Sequence, residues 1–155
     1  MIVLTVILGA IALDLLSKYL TLQLLVPAGG EVTVIPYILN FCYVENTGAA
    51  FGMLKNHRWI FMTLSVLLII GLLFYLKCSG IKHKLFLISL SLIIGGGIGN
   101  MIDRVFVGYV VDFIKVTFID FPVFNIADSA VVVGAVLLVV YFCFFEFNNR
   151  STDKK

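Results

Sequence analysis

Two aspartates stand among apolar neighbours in the second half of the chain, with no basic residue directly beside either of them. Asp112 lies in the segment VVDF, and Asp128 lies in the segment FPVFNIADSA. If both carboxyls face one apolar site, they cannot both ionise easily, so the two share one proton. Such a pair can deprotonate a water molecule and polarise a carbonyl group, as in aspartic proteases. The alternative is that each is an isolated carboxylate exposed to interfacial water.

An acid–base pair near the N-terminus is a second candidate for chemistry. Asp14 and Lys18 are four residues apart in an apolar run, so a helix would place them on one face as an ion pair. An ionisable residue inside a bilayer is costly, which makes it a functional hypothesis by default. Two interpretations stay open: the pair locks the first helix to its neighbours, or it helps to hold a substrate.

The segment GGGIGNMIDR combines close-packing glycines with three polar residues. Gly95 and Gly99 have the spacing that lets two helices approach closely. The segment lacks the third glycine and the preceding strand of a dinucleotide-binding fingerprint. Asn100, Asp103 and Arg104 follow on one helix face, and an aspartate beside an arginine is typical of a charge-compensated structural cluster. The same aspartate is nevertheless a rival candidate for the carboxylate pair described above.

The segment NTGAAFG at residues 46–52 joins turn formers to residues with almost no side chain. Asn46 and Gly48 favour a turn, and the two alanines and the last glycine let a ligand approach the backbone closely. A tight turn packed on the bilayer explains the same composition. Both interpretations stay open.

The overall composition excludes several classes of protein. Of the 155 residues, 61% are hydrophobic and 13% are charged, and the mean hydropathy is +1.11. This is too apolar for an ordinary soluble domain and for a disordered chain. A net charge of +2 without a basic patch does not indicate nucleic-acid binding. The three cysteines and two histidines lack the spacing of a disulfide framework or a metal site, so no metal or cofactor is expected.

Four apolar stretches are long enough to cross about 30 Å of hydrocarbon. They do not alternate between apolar and polar residues, as barrel strands would, so helices are expected. The sequence predicts a single integral membrane domain over residues 1–155. The predicted spans are residues 2–25, 59–76, 85–102 and 122–145, and the predicted outer loops are residues 26–58 and 103–121.

Basic residues are more frequent on one side of these spans, with six against four. Because Lys and Arg favour cytoplasmic segments, both termini are expected in the cytoplasm and both long loops outside. The six are Lys77, Lys82, Lys84, Arg150, Lys154 and Lys155, and the four are Lys55, Arg58, Arg104 and Lys115.

The outer loops have the pattern of short strands. In the first loop, Val32 and Val34 alternate with polar residues, which favours an extended conformation. In the second loop, Val110, Asp112 and Ile114 would share a face if the segment is extended. Both loops are apolar enough to rest at the membrane surface.

Five motifs, in this order, resemble the lipoprotein signal peptidases, the bacterial signal peptidase II family. They are LDLLSK at 13–18, NTGAAFG at 46–52, GNMIDR at 99–104, VVDF at 110–113 and FPVFNIADSA at 121–130. The resemblance extends over nearly the whole chain. It implies an all-α membrane protein of four transmembrane helices, with a small extracytoplasmic β-rich cradle, in the bacterial cell (cytoplasmic) membrane.

The resemblance also implies an activity. It implies an aspartyl endopeptidase that cleaves a prolipoprotein just before a diacylglyceryl-modified cysteine, near the outer face of the membrane. It further implies contact with membrane lipid and inhibition by globomycin, and a monomer is expected. Motif by motif, the catalytic dyad falls on Asp112 and Asp128. The supporting or substrate-binding positions fall on Asp14, Lys18, Asn46, Gly48, Asn100, Asp103, Arg104 and Asn125.

Two other classes of function fit parts of the sequence. A four-helix proton-coupled transporter would use Asp14, but transport sites lie near the membrane midplane, whereas these acidic residues gather at one face. A structural assembly subunit held together by the glycines would leave Asp112 and Asp128 without a role.

Overall fold

The structure is a computed structural model that describes residues 1–48 and 58–146 of the chain. The small residues of NTGAAFG after Gly48, the loop residue Lys55 and the basic residues of the C-terminal tail lie outside the described residues. The predictions made from them therefore stay predictions.

Four long helices form the body of the molecule, and each is long and apolar enough to cross a membrane. A π-helical turn at Thr21–Leu25 extends the first helix, and another at Phe142–Glu146 extends the last. The helices are α1 at Ile2–Leu20, α2 at Arg58–Cys78, α3 at Lys84–Phe106 and α4 at Ile126–Tyr141. This confirms the prediction of four apolar helices.

Helix α3 is the centre of the bundle and packs against the other three helices. In the most apolar 18-residue stretch of α3, 50% of the residues are buried, whereas in the corresponding stretch of each other helix 17% or less are buried. Phe86, Leu90 and Ile94 of α3 have no exposed surface at all. The outer helices leave large apolar side chains such as Leu67 and Val136 exposed. In a membrane these faces contact lipid, which is as apolar as they are.

The glycines of α3 let two helices, α1 and α4, approach it closely. A Cβ atom at Gly95 would lie 2.9 Å from the Cβ of Ala10 in α1, and one at Gly96 would lie 2.4 Å from the carbonyl oxygen of Ala127 in α4. A Cβ atom at Gly99 would lie 2.6 Å from a carboxylate oxygen of Asp14. The close approach predicted for Gly95 and Gly99 is therefore present, with α1 as the partner helix.

We expect Gly96→Ala to destabilise the bundle, because the new methyl group would overlap a backbone carbonyl that cannot move aside alone. Overpacking of this kind costs about 1–3 kcal/mol. Unfolding in detergent, followed by circular dichroism, measures the change. Gly97→Ala is the matched control, since its Cβ would meet only side-chain atoms of Ile69 at 3.5 Å, an ordinary contact. Equal stability of the two variants would contradict the packing described here.

Three antiparallel strands form a small sheet in the order β1-β2-β3. The strands are β1 at Glu31–Ile35, β2 at Leu39–Asn46 and β3 at Val110–Val116. Strand β1 follows α1, and β3 lies between α3 and α4, so the sheet sits at one end of the bundle. Residues 79–83, which join α2 to α3, lie at the other end. The strands predicted in the two long loops are confirmed.

Helix α4 begins at Ile126, later than the predicted start of the fourth span at Pro122. The reason is that Phe124 pairs with Ile114 of β3, with N–H···O distances of 2.8 and 3.1 Å. The next residue, Asn125, is extended and caps the helix. Helix α3 likewise continues to Phe106, beyond the predicted end of the third span at residue 102. It ends just before Gly108, whose φ of +94° is unfavourable for other residues.

Candidate active site

A cavity of about 450 Å³ lies where the sheet meets α3 and α4. Asp112 reaches it from β3, and Asp128 reaches it from the first turn of α4. Asn46, Gly48, Asn100 and Arg104 also line it, so six of the ten predicted site residues surround one space. The structure therefore brings the two aspartates to one site, as the sequence predicted.

The carboxyl group of Asp112 is almost fully buried and is held by two side-chain amides. Asn46 donates to its Oδ2 at 2.8 Å, and Asn125 donates to its Oδ1 at 2.7 Å. Burial raises the pKa of Asp112 to about 6, and the charge of Asp128 raises it further, although both amide donors oppose the shift. This carboxyl therefore retains its proton to a much higher pH than an exposed aspartate does.

Asp128 is the third residue of α4, and the start of that helix fixes its position. The Asn125 side chain accepts the Asp128 N–H at 2.9 Å, and Oδ2 of Asp128 accepts the Asn125 N–H at 3.2 Å, which is a capping box. The other oxygen, Oδ1, accepts the side-chain amide of Asn100 at 2.7 Å. Asp128 is only half-buried, so it is the more accessible of the two carboxylates.

Asn125 joins the two carboxylates into one hydrogen-bonded network. Its Nδ2 donates to Asp112 and, at 3.0 Å, to Oδ1 of Asn100, while its Oδ1 accepts the backbone N–H of Asp128. The Oδ1 of Asn46 accepts the Gly48 N–H at 2.9 Å, so the amide of Asn46 is also oriented by the backbone. Amides whose oxygens are held in this way present their N–H groups to the carboxylates.

A buried ion cluster lies beside this network. Lys18 Nζ is 2.7 Å from Asp14 Oδ2 and 2.8 Å from Asp103 Oδ2, and all three side chains are at least nine-tenths buried. Asp14 also accepts the Ala127 N–H, and Asp103 accepts the Val111 N–H. The cluster ties α1 to α3, α4 and β3, so the predicted Asp14–Lys18 pair is present and locks helices together.

The predicted charge compensation of Asp103 by Arg104 is wrong, because Asp103 pairs with Lys18 instead. Adjacent residues of a helix point about 100° apart, so Asp103 faces Lys18 while Arg104 turns toward the cavity. The Arg104 guanidinium donates weakly to the carbonyl oxygens of Asn100 and Gly48 at 3.4 and 3.5 Å. It also lies 5.4 Å from the ring centre of Phe61 in α2. Asp103 is therefore occupied by the ion cluster.

The apolar walls of the cavity were not identified from the sequence. Val131 and Val132 lie one turn after Asp128 on α4, so helical spacing could have found them. Phe61 comes from the second predicted span, residues 59–76, which has no charged residue, and nothing in the sequence singled it out. The remaining apolar lining residues are Val110, Phe121, Pro122, Val123 and Phe124. Within residues 1–48 and 58–146, His, Cys, Asp and Glu form no group of three or more that could hold a metal ion.

Four helices long and apolar enough to cross a membrane, with a small sheet at one end, place the chain in the class of multi-pass membrane proteins. Two solved structures, each of a bacterial membrane enzyme determined by the in meso method, share this fold. The first has a TM-score of 0.83 and a sequence identity of 29%. The match covers 99% of this chain and 91% of the chain in that structure. The second has a TM-score of 0.82 and a sequence identity of 30%. The match covers 92% of this chain and 93% of the chain in that structure.

Sequence comparison specifies the family. The family model described as signal peptidase (SPase) II matches residues 6–144. A lipoprotein signal peptidase of Clostridioides difficile is 44% identical over 97% of this chain and 100% of that protein. One of Symbiobacterium thermophilum is 41% identical over 88% of this chain and 91% of that protein. The chain belongs to the signal peptidase II family.

Proposed function

We propose that this signal peptidase II is an aspartic-type endopeptidase that cleaves diacylglyceryl-modified prolipoproteins just before the modified cysteine. The single observation that carries the proposal is the convergence of Asp112 and Asp128 on one cavity, joined through Asn125. A transporter built on Asp14 gains no support, because that carboxylate is fully buried and paired with Lys18.

In the proposed reaction, the two carboxyls hold one water molecule and share one proton. The raised pKa of Asp112 favours this group as the one that carries the proton, which leaves Asp128 as the base. Asp128 removes a proton from water as the oxygen attacks the scissile carbonyl. The Asp112 proton stabilises the developing oxyanion. The tetrahedral intermediate then breaks its C–N bond, and a carboxyl proton passes to the leaving amine. The reaction uses no cofactor and forms no acyl-enzyme.

The lining of the cavity supports a lipid-bearing substrate. Apolar side chains from α2 and α4, among them Phe61, Val131 and Val132, form part of the cavity wall. The outer surfaces of these helices carry exposed large apolar side chains. The peptide would pass beneath the sheet, while the diacylglyceryl chains stay in the lipid beside the bundle. A cyclic lipopeptide such as globomycin would occupy the same space.

We propose that the sheet is extracytoplasmic and that both termini are cytoplasmic. The exposed lysines of residues 77–84 lie at the end of the bundle away from the sheet, and basic residues favour the cytoplasmic side. The active site would then lie near the outer face of the bacterial cell membrane. The chain would act as a monomer, since no polar side chain within residues 59–78 of α2 is buried and in need of a partner.

A gel-shift cleavage assay with purified protein in detergent tests the proposed function. The substrate is a prolipoprotein prepared with and without its diacylglyceryl group. We expect cleavage of the lipidated form alone, and addition of globomycin should block it. Folded protein that leaves a confirmed lipidated substrate intact would contradict the proposal.

The value of kcat/KM should fall as the pH rises through about 6. Asp112 has its pKa near this value, and above it the pair loses the proton that the reaction needs. Asn46→Ala removes a donor that favours the ionised carboxylate, so the pKa of Asp112 should rise and the alkaline limb should move to higher pH. Steady-state rates over a pH series measure both effects.

Asn40→Ala is the matched control for this shift. Asn40 lies on the same strand as Asn46, but its amide donates to the exposed Glu31 at 2.9 Å. Its removal should leave the alkaline limb in place. An alkaline limb that is the same in the Asn46 variant and in the wild type would refute the assignment to Asp112.

A further inference from the structure

The ammonium group of Lys18 lies within 3.1 Å of three oxygen atoms, two in ion pairs and one in a hydrogen bond. Two are the carboxylate oxygens of Asp14 and Asp103, at 2.7 and 2.8 Å. The third is Oδ1 of Asn100, at 3.1 Å. The two aspartates alone would suffice to pair a buried lysine. The third contact leads instead to a residue that touches Asp128.

Two donors, Lys18 Nζ and Asn125 Nδ2, together determine which way the Asn100 amide points. The oxygen and nitrogen ends of a side-chain amide have nearly the same shape, so hydrogen-bond partners decide between the two orientations. A lysine donates and never accepts, so it requires the oxygen end of Asn100. Asn125 Nδ2 donates to the same oxygen at 3.0 Å. The nitrogen end of Asn100 therefore faces Oδ1 of Asp128 at 2.7 Å.

We propose that Lys18 is a positioning residue that acts through Asn100 to keep Asp128 supplied with a hydrogen-bond donor, as the base of the reaction requires. The inference rests on the proposed function, because it assigns Asp128 the role of the base. Without the lysine, a rotated Asn100 would set its carbonyl oxygen against the carboxylate of Asp128. The two oxygens would then repel each other unless Asp128 bound a proton, and a protonated Asp128 cannot deprotonate water.

Two variants separate donation by Lys18 from its role in the ion cluster. Lys18→Met alone would leave two buried carboxylates without a cation, so a lower rate in that variant would not separate the two roles. In Lys18→Met/Asp14→Asn/Asp103→Asn, the charges are removed together and the donor to Asn100 is lost. In Asp14→Asn/Asp103→Asn, the lysine is kept without its carboxylate partners, and its amino group still has N–H groups to donate to Asn100.

Steady-state cleavage of the lipidated prolipoprotein compares these variants. We expect the triple variant to have a kcat at least 100-fold below that of the double variant, with KM within threefold. We expect kcat to fall and KM to stay nearly constant because the substrate contacts are unchanged, whereas Asp128 no longer acts as an effective base. A purely structural role for Lys18 would change the amount of folded enzyme and not the kcat per folded molecule. A kcat within threefold of that of the double variant would overturn the inference.

Side-chain amide NMR with ¹⁵N-labelled asparagine supplies a readout that needs no cleavage. In the wild type, the Nδ2 protons of Asn100 should show stronger nuclear Overhauser effects to the β-protons of Asp128 than to the ε-protons of Lys18. In the triple variant this preference should be lost. The opposite orientation in the wild type would overturn the inference, even if no variant folds. If the wild type gives the expected spectra but does not cleave the substrate, the proposed function is contradicted, while the positioning of Asn100 by Lys18 still stands.

Discussion

Replacing either Asp112 or Asp128 by asparagine should lower kcat by about 10²-fold to 10⁴-fold, the range expected for loss of a general acid or base. The two residues act on one water molecule, so the double variant should be no slower than the slower single variant. Each carboxylate oxygen of the two aspartates accepts one N–H group. The side-chain NH₂ group of an asparagine would face one of these N–H donors and could not accept from it. A stability loss of about 1–3 kcal/mol should accompany the kinetic effect.

Asp120→Asn is the matched control for this pair of substitutions. Asp120 is an exposed aspartate in the connection between β3 and α4, so the same chemical change there should leave kcat near the wild-type value. Rates are compared per folded molecule, after unfolding curves have established the folded fraction. Near-normal cleavage by a folded Asp112 or Asp128 variant would remove that residue from the dyad.

Replacing Lys18 by methionine should cause the largest loss of stability. Asp14 and Asp103 would remain buried without their cation, and breaking a buried ion pair in this way costs about 3–5 kcal/mol. Neutralising both partners as well, in Lys18→Met/Asp14→Asn/Asp103→Asn, should recover most of the lost stability. Denaturant or thermal unfolding of the purified variants in detergent measures both effects.

Lys115→Met is the control for the loss of a lysine ion pair. Lys115 pairs with Glu31 at 3.2 Å, but their side chains are 42% and 49% exposed. Such an exposed pair is worth about 1 kcal/mol or less. A Lys18→Met variant as stable as Lys115→Met, or a triple variant no more stable than Lys18→Met, would contradict the importance given to the buried cluster.

Much of this molecule could be predicted from local sequence patterns. Long apolar runs gave the four helices, because only helices satisfy their own backbone within lipid. Period-two alternation around Val32 and Asp112 indicated the strands. The spacing of Asp14 and Lys18 gave their ion pair, since residues four apart meet on a helix. The isolated acidic residues Asp112 and Asp128 indicated a functional site because a carboxylate without a nearby cation is costly in an apolar segment.

Contacts between distant parts of the chain could not be predicted in the same way. Lys18 meets Asn100 across 82 residues of sequence, and no local spacing encodes that contact. The preference of Asp103 for Lys18 over its neighbour Arg104 depends on how α1 packs on α3. The start of α4 depends on Phe124 joining β3, which a hydropathy pattern cannot reveal. Motifs therefore named the site residues, but only packing determined which atoms face each other.

The measurement that tests the central claim most directly is mass spectrometry of both products after a single turnover in H₂¹⁸O. The substrate is the lipidated prolipoprotein, with wild-type enzyme in excess. If two carboxyls activate one water molecule, one ¹⁸O atom should enter the new carboxylate of the signal peptide. The mature product should begin with the diacylglyceryl-modified cysteine, and the enzyme mass should stay unchanged throughout. A transient covalent adduct between peptide and enzyme, or a cut elsewhere in the substrate, would contradict the account.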